Sequence, residues 1–220
     1  AYSQSQGILP LREEFVKYYR KFGIDLTPDE IIVTSGGSEA LLATFLTCFD
    51  PGDEVIITEP GYANYIGFAK ATGLIIKPVT SRIEDKFALP SAEDFRKAIT
   101  PKTKAILICN PNNPTGALYP REVLQQIVDL AREHQLIIFS DEIYDRLVMD
   151  GLEHVSIASL APDLFCVTFS GLSKSHMIAG FRIGWMILSG NKAIAKDYIE
   201  GLKMLSNMRL CSNVPAQSVV

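Results

Sequence analysis

The sequence predicts a three-layer α/β/α protein, in which helices cover both faces of a mostly parallel central sheet. Short apolar or β-branched runs alternate along the chain with amphipathic segments of helical period. Several of these short runs are apolar along their whole length, which is typical of parallel strands buried on both faces. With 220 residues and 47% hydrophobic content, the chain can form one domain with a substantial core.

In the first half of the chain, turn residues separate each helix from the next strand. Pro10 suits the first turn of an amphipathic helix, and Gly23 is placed to end it. Gly36 and Gly37 interrupt a β-branched run, and Pro60 and Gly61 end another. The predicted helices are residues 9–22, 38–49 and 62–71, and the predicted strands are residues 31–34, 54–58 and 74–79.

The second half of the chain continues the alternation. Ser91 is a helix N-cap, and Glu93 and Asp94 follow in the first turn, where negative charge favours the helix dipole. Beyond this cap, the predicted helices are residues 92–99, 120–135 and 192–209, and the predicted strands are residues 104–109, 136–140, 164–169 and 182–189.

Five polar loops directly follow predicted strands. The carboxyl ends of parallel strands meet at one edge of a sheet, and ligands of such sheets bind there. We therefore expect these loops to converge on one site: residues 35–38, 59–62, 109–116, 140–144 and 169–174.

The composition excludes several classes of protein. A net charge of −4 and a pI near 5.4 give no basic face, so we expect neither nucleic acid nor a membrane as partner. The basic residues of the first helix alternate with acidic ones, which predicts a solvated face: Arg12, Lys17, Arg20 and Lys21. The four cysteines lack metal-ligand or redox-motif spacing, which indicates reduced thiols in the cytoplasm and no metal site.

The most specific segment runs from Ser170 to Trp185. Lys174 follows a turn of small residues, and Arg182 lies eight positions later, before an apolar strand. The amine is placed to condense with an aldehyde and the guanidinium to bind a phosphate, the two groups that pyridoxal phosphate carries. A solvated loop lysine and a surface arginine are the alternative interpretation of this segment taken alone.

The loops after the first and fourth predicted strands suit binding of the same cofactor. Gly37 and Ser38 open a helix, where backbone amides and the helix dipole favour an anion. The run from Asn110 to Gly116 contains two prolines and a glycine, which fix the geometry of an asparagine side chain. Ordinary turns are the alternative interpretation of both loops.

The loop after the fifth predicted strand carries the sequence Ser140-Asp141-Glu142-Ile143-Tyr144. A partly desolvated Asp141 needs a cationic partner, and a protonated pyridine nitrogen is one. Tyr144 is placed to donate its hydroxyl to a ring oxygen, and Tyr62 to stack on a flat ring. Taken alone, Asp141 is also a plausible helix cap and Tyr62 a plausible core aromatic.

Together these motifs resemble the class I aminotransferases, which are fold type I pyridoxal-phosphate enzymes. Residues 110–119, 137–150 and 169–216 especially resemble the bacterial alanine aminotransferases, whereas residues 35–40 are more similar to aspartate-type members. The resemblance implies that Lys174 attaches the cofactor covalently and that Asp141 pairs with the pyridine nitrogen. It further implies phosphate, ring-oxygen and stacking contacts from Gly37, Ser38, Ser173 and Arg182, from Asn113 and Tyr144, and from Tyr62.

The resemblance also implies a homodimer, because the tyrosine at the position of Tyr2 reaches the phosphate of the neighbouring subunit in relatives. Gly171 departs from the family pattern, which often has a phosphate-binding serine there, and Ser170 or Ser173 is expected to compensate. We expect residues 1–220 to be the cofactor-binding large domain of a longer protein, without the amino-terminal arm and small domain. Alone, such a piece is expected to be inactive or nearly so.

The expected activity is transfer of an amino group from an L-amino acid to a 2-oxo acid such as 2-oxoglutarate, with ping-pong kinetics. Alanine is the favoured donor, with aspartate or an aromatic amino acid as the alternative. Two further hypotheses remain, a carbon–sulfur lyase on the same scaffold and an aminotransferase-like sensor domain of a transcription regulator.

Overall fold

A seven-stranded sheet forms the centre of the protein in the computed structural model, which describes residues 1–219. The strands lie in the order β1-β7-β6-β5-β4-β2-β3 across the sheet. Their bounds are β1 Ile31–Thr34, β2 Glu54–Glu59, β3 Ile75–Thr80, β4 Thr103–Cys109, β5 Ile137–Asp141, β6 Phe165–Gly171 and β7 Gly184–Gly190.

The sheet is mostly parallel, as the sequence predicts. Strands β3, β2, β4, β5 and β6 pair in parallel, whereas β7 pairs antiparallel with both β6 and β1. Because β7 runs in the opposite direction, its first residues lie at the same edge as the last residues of the other strands. Gly171 at the end of β6 is thus opposite Gly184 at the start of β7.

Helices cover both faces of the sheet and complete three layers. One face packs against α1, α4 and α5, and the other against α2, α3 and α7, each face with its own apolar cluster. The helices are α1 Leu9–Arg20, α2 Gly37–Cys48, α3 Asn64–Thr72, α4 Ala92–Ala98, α5 Arg121–Glu133, α6 Leu172–Ser175, α7 Lys196–Met208 and α8 Val214–Ser218. This arrangement confirms the predicted fold class.

Local sequence explains the start of α4 and the buried face of α5. The Ser91 hydroxyl accepts a hydrogen bond from the Asp94 amide, so the predicted cap of α4 is confirmed. Helix α5 presents Leu124, Ile127 and Val128 to the sheet, in the spacing of an amphipathic helix.

Three short turns account for the main differences from the prediction, and the other boundaries shift by at most two residues. Strand β7 begins at Gly184 and not at residue 182, because Arg182 has a left-handed backbone with φ of +55° after a 3₁₀ turn. The lysine segment, predicted as a loop, forms the single helical turn α6. Residues Lys192–Ala195 form a 3₁₀ turn before α7, where one continuous helix was expected.

The solvated face predicted for the first helix is wrong at Arg12, whose residue surface is 3% exposed. Its guanidinium donates to the carbonyl oxygens of Gly7 at 3.1 Å and Pro28 at 2.8 Å. These carbonyl groups come from the segments on either side of α1 and satisfy the buried cation. Arg12 therefore holds the amino-terminal segment to the domain, a role that charge alternation along a helix does not reveal.

The cysteines are all free thiols, and three of them, Cys48, Cys109 and Cys166, are buried as expected. Within residues 1–219, no helix is both long and apolar enough to cross a membrane. The same residues contain no cluster of His, Cys, Asp and Glu side chains suited to a metal ion.

Candidate active site

A cavity of about 200 Å³ opens at the edge of the sheet where the five polar loops converge. Of the ten site residues predicted from the sequence, nine line it: Gly37, Ser38, Tyr62, Asn113, Asp141, Tyr144, Ser173, Lys174 and Arg182. Tyr2 lies outside the cavity and is 78% exposed. The fold therefore brings together nine of the predicted residues, which lie up to 145 positions apart in the chain.

One end of the cavity is suited to an anion. Helix α2 begins there at Gly37, so the first backbone amides of the helix and its positive dipole end face the opening. The Arg182 guanidinium lies beside them and donates to the carbonyl oxygens of Ala179 at 2.8 Å and Ser35 at 3.2 Å. Two of its five N–H groups are thereby fixed, which orients the remaining donors.

Gly36 makes this close approach possible. Its backbone has φ of +84° and ψ of 165°, a conformation that essentially only glycine adopts. A Cβ atom at this position would overlap Nη2 of Arg182. The glycine in the predicted Ser-Gly-Gly-Ser turn is thus required by both the backbone and the guanidinium.

Gly36→Ala is expected to lower the free energy of unfolding by about 1–3 kcal/mol from backbone strain. It should also weaken binding of pyridoxal phosphate, because the new methyl group displaces the guanidinium. Gly52→Ala is the matched control, since Gly52 also has positive φ but has open space around it. Chemical denaturation and a fluorescence titration measure the two effects, and equal cofactor affinity in both variants would contradict the role assigned to Gly36.

Lys174 lines the cavity from the helical turn directly after β6. Ser170 and Ser173, the two candidates to compensate for Gly171, both line the cavity. The Ser170 hydroxyl donates to the Glu142 carbonyl oxygen at 3.4 Å. A Cβ atom at Gly171 would lie 2.9 Å from the Ile183 carbonyl oxygen, so a serine there requires the neighbouring backbone to shift.

Asp141 is the buried acid of the site and is 7% exposed. Burial disfavours its charged form and raises the pKa of the carboxyl group above its ordinary value. Two hydrogen bonds oppose this shift: the Tyr65 hydroxyl donates to Oδ2 at 2.6 Å, and the Ile143 amide donates to Oδ1 at 3.2 Å. A cation in the cavity would compensate the remaining cost of a buried carboxylate.

Tyr65 is a site residue that the sequence analysis missed. Its side chain is fully buried, and its hydroxyl holds Asp141, yet the sequence offers only its position three residues after Tyr62 as a signal. Tyr65 lies in the first turn of α3, whereas Tyr62 lies in the loop just before this helix. Tyr62, on the cavity side, packs edge-on against the Tyr65 ring with centroids 5.4 Å apart.

Tyr65→Phe is expected to raise the pKa of Asp141, because it removes a hydrogen bond that stabilises the carboxylate. Loss of a charge-assisted hydrogen bond should also lower the free energy of unfolding by about 1.5–3 kcal/mol. The control is Tyr62→Phe, whose hydroxyl accepts from Asn64 at 2.7 Å and does not touch Asp141. Carboxyl NMR with pH and chemical denaturation check the prediction, which an unchanged Asp141 titration would contradict.

The asparagine loop divides its three amides between structure and cavity. Asn110 accepts from the Tyr119 amide at 2.9 Å, and Asn112 donates to the Thr115 hydroxyl at 2.8 Å and to the Pro60 carbonyl oxygen at 3.2 Å. Asn113 lines the cavity instead. The two structural asparagines thus fix the loop that presents the third.

Tyr144 and Cys109 also line the cavity. Burial is the main cause that raises the pKa of the Tyr144 phenol, which keeps it protonated and able to donate. Cys109 was not predicted as a site residue, and its thiol is buried at the end of β4, where desolvation strongly raises its pKa. It therefore remains a neutral part of the wall.

The donor set fits pyridoxal phosphate. The cavity combines a primary amine, a buried acid that favours a cationic partner, and an arginine at a helix amino terminus that favours an anion. These groups correspond to the aldehyde, the ring nitrogen and the phosphate of that cofactor.

Comparisons with known proteins agree with this chemistry. The sequence is 45% identical over 221 aligned residues to the glutamate-pyruvate aminotransferase AlaA of Escherichia coli K12, an alignment that covers 100% of this chain and 54% of AlaA. A crystal structure of an aminotransferase from Escherichia coli superimposes with a TM-score of 0.96 at 44% identity, over 99% of this chain and 54% of that one. An alanine aminotransferase from Pyrococcus furiosus gives 0.94 at 39% identity, over 99% and 55%.

The chain spans about half the length of the curated relatives that it matches. Within that span, the sequence profile described as aminotransferase class I and II matches residues 1–220. A match over the whole chain, together with the identity to AlaA, establishes that this chain belongs to the class I and II aminotransferase family.

Proposed function

We propose that the protein containing this chain is a pyridoxal-phosphate-dependent aminotransferase and that residues 1–220 are its cofactor-binding large domain. The observation that carries the proposal is a single cavity that combines Lys174, Asp141 and the α2 amino terminus with Arg182. Family membership supports the same class of reaction. When bound, the cofactor supplies an electrophilic aldehyde and a ring that accepts an electron pair.

Lys174 is the proposed attachment residue and the proton carrier. It lies in α6 and lines the cavity. With the cofactor and substrate bound, the free amine of Lys174 would accept a proton from the substrate Cα atom and return one later in the cycle. The backbone of Gly37 with the hydroxyls of Ser38 and Ser173 is proposed to bind the phosphate together with Arg182.

Asp141 is proposed to hold a protonated ring nitrogen by charge pairing. Its own raised pKa is compatible with this role, because a nearby cation favours the carboxylate form. Asn113 and Tyr144 are proposed to donate hydrogen bonds to the ring oxygen, and Tyr62 to stack on the ring. Tyr2 is exposed, which suits a contact with the neighbouring subunit of a homodimer.

The proposed substrates are L-alanine as amino donor and a 2-oxo acid such as 2-oxoglutarate as acceptor, with ping-pong kinetics. The names of two relatives, a glutamate-pyruvate aminotransferase and an alanine aminotransferase, favour this pair. An aspartate or aromatic donor is the alternative within the same reaction class. The free thiols of the chain suit a reducing compartment, and we propose a cytoplasmic location.

A visible absorbance titration tests the function. The complete protein that contains this chain is mixed with pyridoxal phosphate, and L-alanine, L-aspartate and L-phenylalanine are then added separately, with keto-acid products identified by mass spectrometry. The proposal predicts a cofactor band that L-alanine shifts, with one pyruvate formed per site in the absence of acceptor. Release of pyruvate with ammonia from cystathionine would instead identify a carbon–sulfur lyase, and a band insensitive to every amino acid would favour a sensor domain.

A further inference from the structure

A buried ion pair lies directly behind the site acid. Glu142 follows Asp141 in the chain, and its side chain and that of His154 are each 3% exposed. Nε2 of His154 lies 3.0 Å from Oε2 of Glu142. Neither residue lines the cavity described above, so the pair is not a direct contact of the proposed cofactor.

Two serine hydroxyls complete the surroundings of the carboxylate. Ser140 donates to Oε1 of Glu142 at 2.8 Å, and Ser156 donates to the same oxygen at 2.9 Å. Both carboxylate oxygens are therefore occupied, as a buried charge requires. The four side chains join the end of β5 to the segment just before the 3₁₀ turn Ile157–Leu160.

The backbone of Glu142 is fixed as well. Its amide donates to the Phe169 carbonyl oxygen at 2.8 Å, and its carbonyl oxygen accepts from the Asp145 amide at 3.0 Å. Glu142 thus sets the course of the chain between Asp141 and Tyr144. Asp141 lies on the cavity side of this segment, whereas Glu142 contacts the serines and His154 on the other side.

The pair also controls the charge beside Asp141. The Glu142 carboxylate is a like charge that raises the pKa of Asp141, after desolvation as the main cause. Burial lowers the pKa of His154, but Glu142 and Asp145 raise it more, so the net shift favours the imidazolium. A protonated His154 places a positive charge 3.0 Å from the Glu142 carboxylate, whose influence on the Asp141 pKa is the smallest of the four causes.

We propose that Glu142 and His154 form a positioning and charge-compensating pair for Asp141. Glu142 fixes the chain that presents the acid, and His154 cancels the negative charge that this anchoring carboxylate brings. The proposal deepens the proposed function and rests on it for the role of Asp141. Nδ1 of His154 is buried without a hydrogen-bond partner within residues 1–219, so the ring has no competing polar contact there.

Other titratable groups face the pair from each neighbouring element, and their titrations must be distinguished from that of Asp141. Helix α1, strands β4 and β6, and the loop after β5 contribute Tyr19, Cys109, Cys166 and Asp145. Burial raises the pKa of each of these groups, which leaves the phenol and the two thiols neutral in the acidic range where Asp141 titrates.

The test uses cofactor-free protein with ¹³C-labelled aspartate carboxyl groups, followed by NMR as the pH is varied. The variants Asp141→Asn and Asp145→Asn assign the carboxyl signals of these two residues. Glu142→Gln keeps the shape and removes the negative charge, whereas His154→Gln keeps an N–H donor and removes the positive charge. Glu54→Gln is the control, because Glu54 is a buried carboxylate that accepts from Thr100 at 2.6 Å and Thr103 at 3.1 Å at the start of β2.

The two variants are expected to move the Asp141 midpoint in opposite directions, downward in Glu142→Gln and upward in His154→Gln. Glu54→Gln should leave it unchanged. Shifts in the same direction for both variants would indicate general loosening and overturn the charge role. If His154→Gln does not fold, Glu142→Gln alone decides, since an unmoved midpoint in that variant overturns the proposal.

This readout is independent of the reaction. It needs no bound pyridoxal phosphate and no substrate, so a failure of the proposed aminotransferase activity leaves the opposite shifts measurable. Conversely, a protein that binds cofactor and uses alanine but shows no shift retains the proposed function and loses the positioning pair.

Discussion

Lys174→Ala is expected to abolish covalent attachment of pyridoxal phosphate. In wild-type protein, borohydride reduction should leave one cofactor adduct on the Lys174 peptide. In the variant, mass spectrometry should detect no adduct, because no other lysine among residues 1–219 lines the cavity. Activity of the complete protein should fall by at least ~10²–10⁴-fold, the range for loss of a general acid–base group.

The variant should remain folded, which separates chemistry from stability. Lys174 is exposed, and a surface substitution changes the free energy of unfolding by about 0.5 kcal/mol or less. Lys196→Ala is the matched control, an exposed lysine at the start of α7 outside the cavity, and it should keep the full adduct. An undiminished trapped adduct in Lys174→Ala would refute the assignment of the attachment residue.

Asp141→Asn is expected to have the second large effect. Asparagine has almost the same shape but no charge, so it cannot neutralise a protonated ring nitrogen in a buried site. We expect kcat/KM of the complete protein to fall by about 10²–10³-fold, the cost of removing one preorganised electrostatic group. Steady-state kinetics with L-alanine and 2-oxoglutarate measure this loss, and the cofactor should also bind more weakly.

Asp145→Asn is the control for this effect. Asp145 is a partly buried carboxyl group that also has a raised pKa, and it accepts from the Tyr18 hydroxyl at 2.5 Å, but it does not line the cavity. Its amide variant should keep cofactor affinity and kcat/KM close to wild type. Equal losses of kcat/KM in the two variants would mean that removal of either carboxyl charge in this loop lowers activity. The specific role of Asp141 would then be wrong.

The fold could be predicted because burial on both faces leaves a direct record in the sequence. The runs at residues 106–109 and 165–167 are apolar at successive positions, which is typical of strands in a sheet covered on both sides. Boundaries were less accurate where tertiary contacts decide them. Arg182 adopts a left-handed backbone and contacts the Ser35 carbonyl oxygen across the sheet edge, and no local pattern encodes that contact.

Most cavity residues could be predicted because they end or follow a strand in a segment with specific chemistry, whereas Arg182 precedes β7 at the same edge of the sheet. Asp141 and Lys174 end or follow β5 and β6, so parallel topology brings them to the same edge. The supporting residues could not be found this way. Tyr65 reaches Asp141 from a helix 76 positions earlier, and His154 reaches Glu142 from a loop of no regular pattern. Such contacts depend on packing between elements and not on spacing within one.

The same reason explains the error at Arg12. An arginine among Glu13, Glu14 and Lys17 fits a solvated helix face by local charge pattern. In the folded chain, carbonyl oxygens from two flanking segments surround its guanidinium. The guanidinium also contacts the side chains of Gln4 and Asp29, but its backbone acceptors have no signature in residue type, because every residue carries a carbonyl oxygen.

The most direct test of the central claim is an experimental structure of the protein grown with pyridoxal phosphate. We predict density continuous from the Lys174 side chain to the cofactor, with the phosphate at Arg182 and the amino terminus of α2 and the ring nitrogen at Asp141. A cofactor bound elsewhere, or in this cavity with its phosphate directed toward Asp141, would contradict the account.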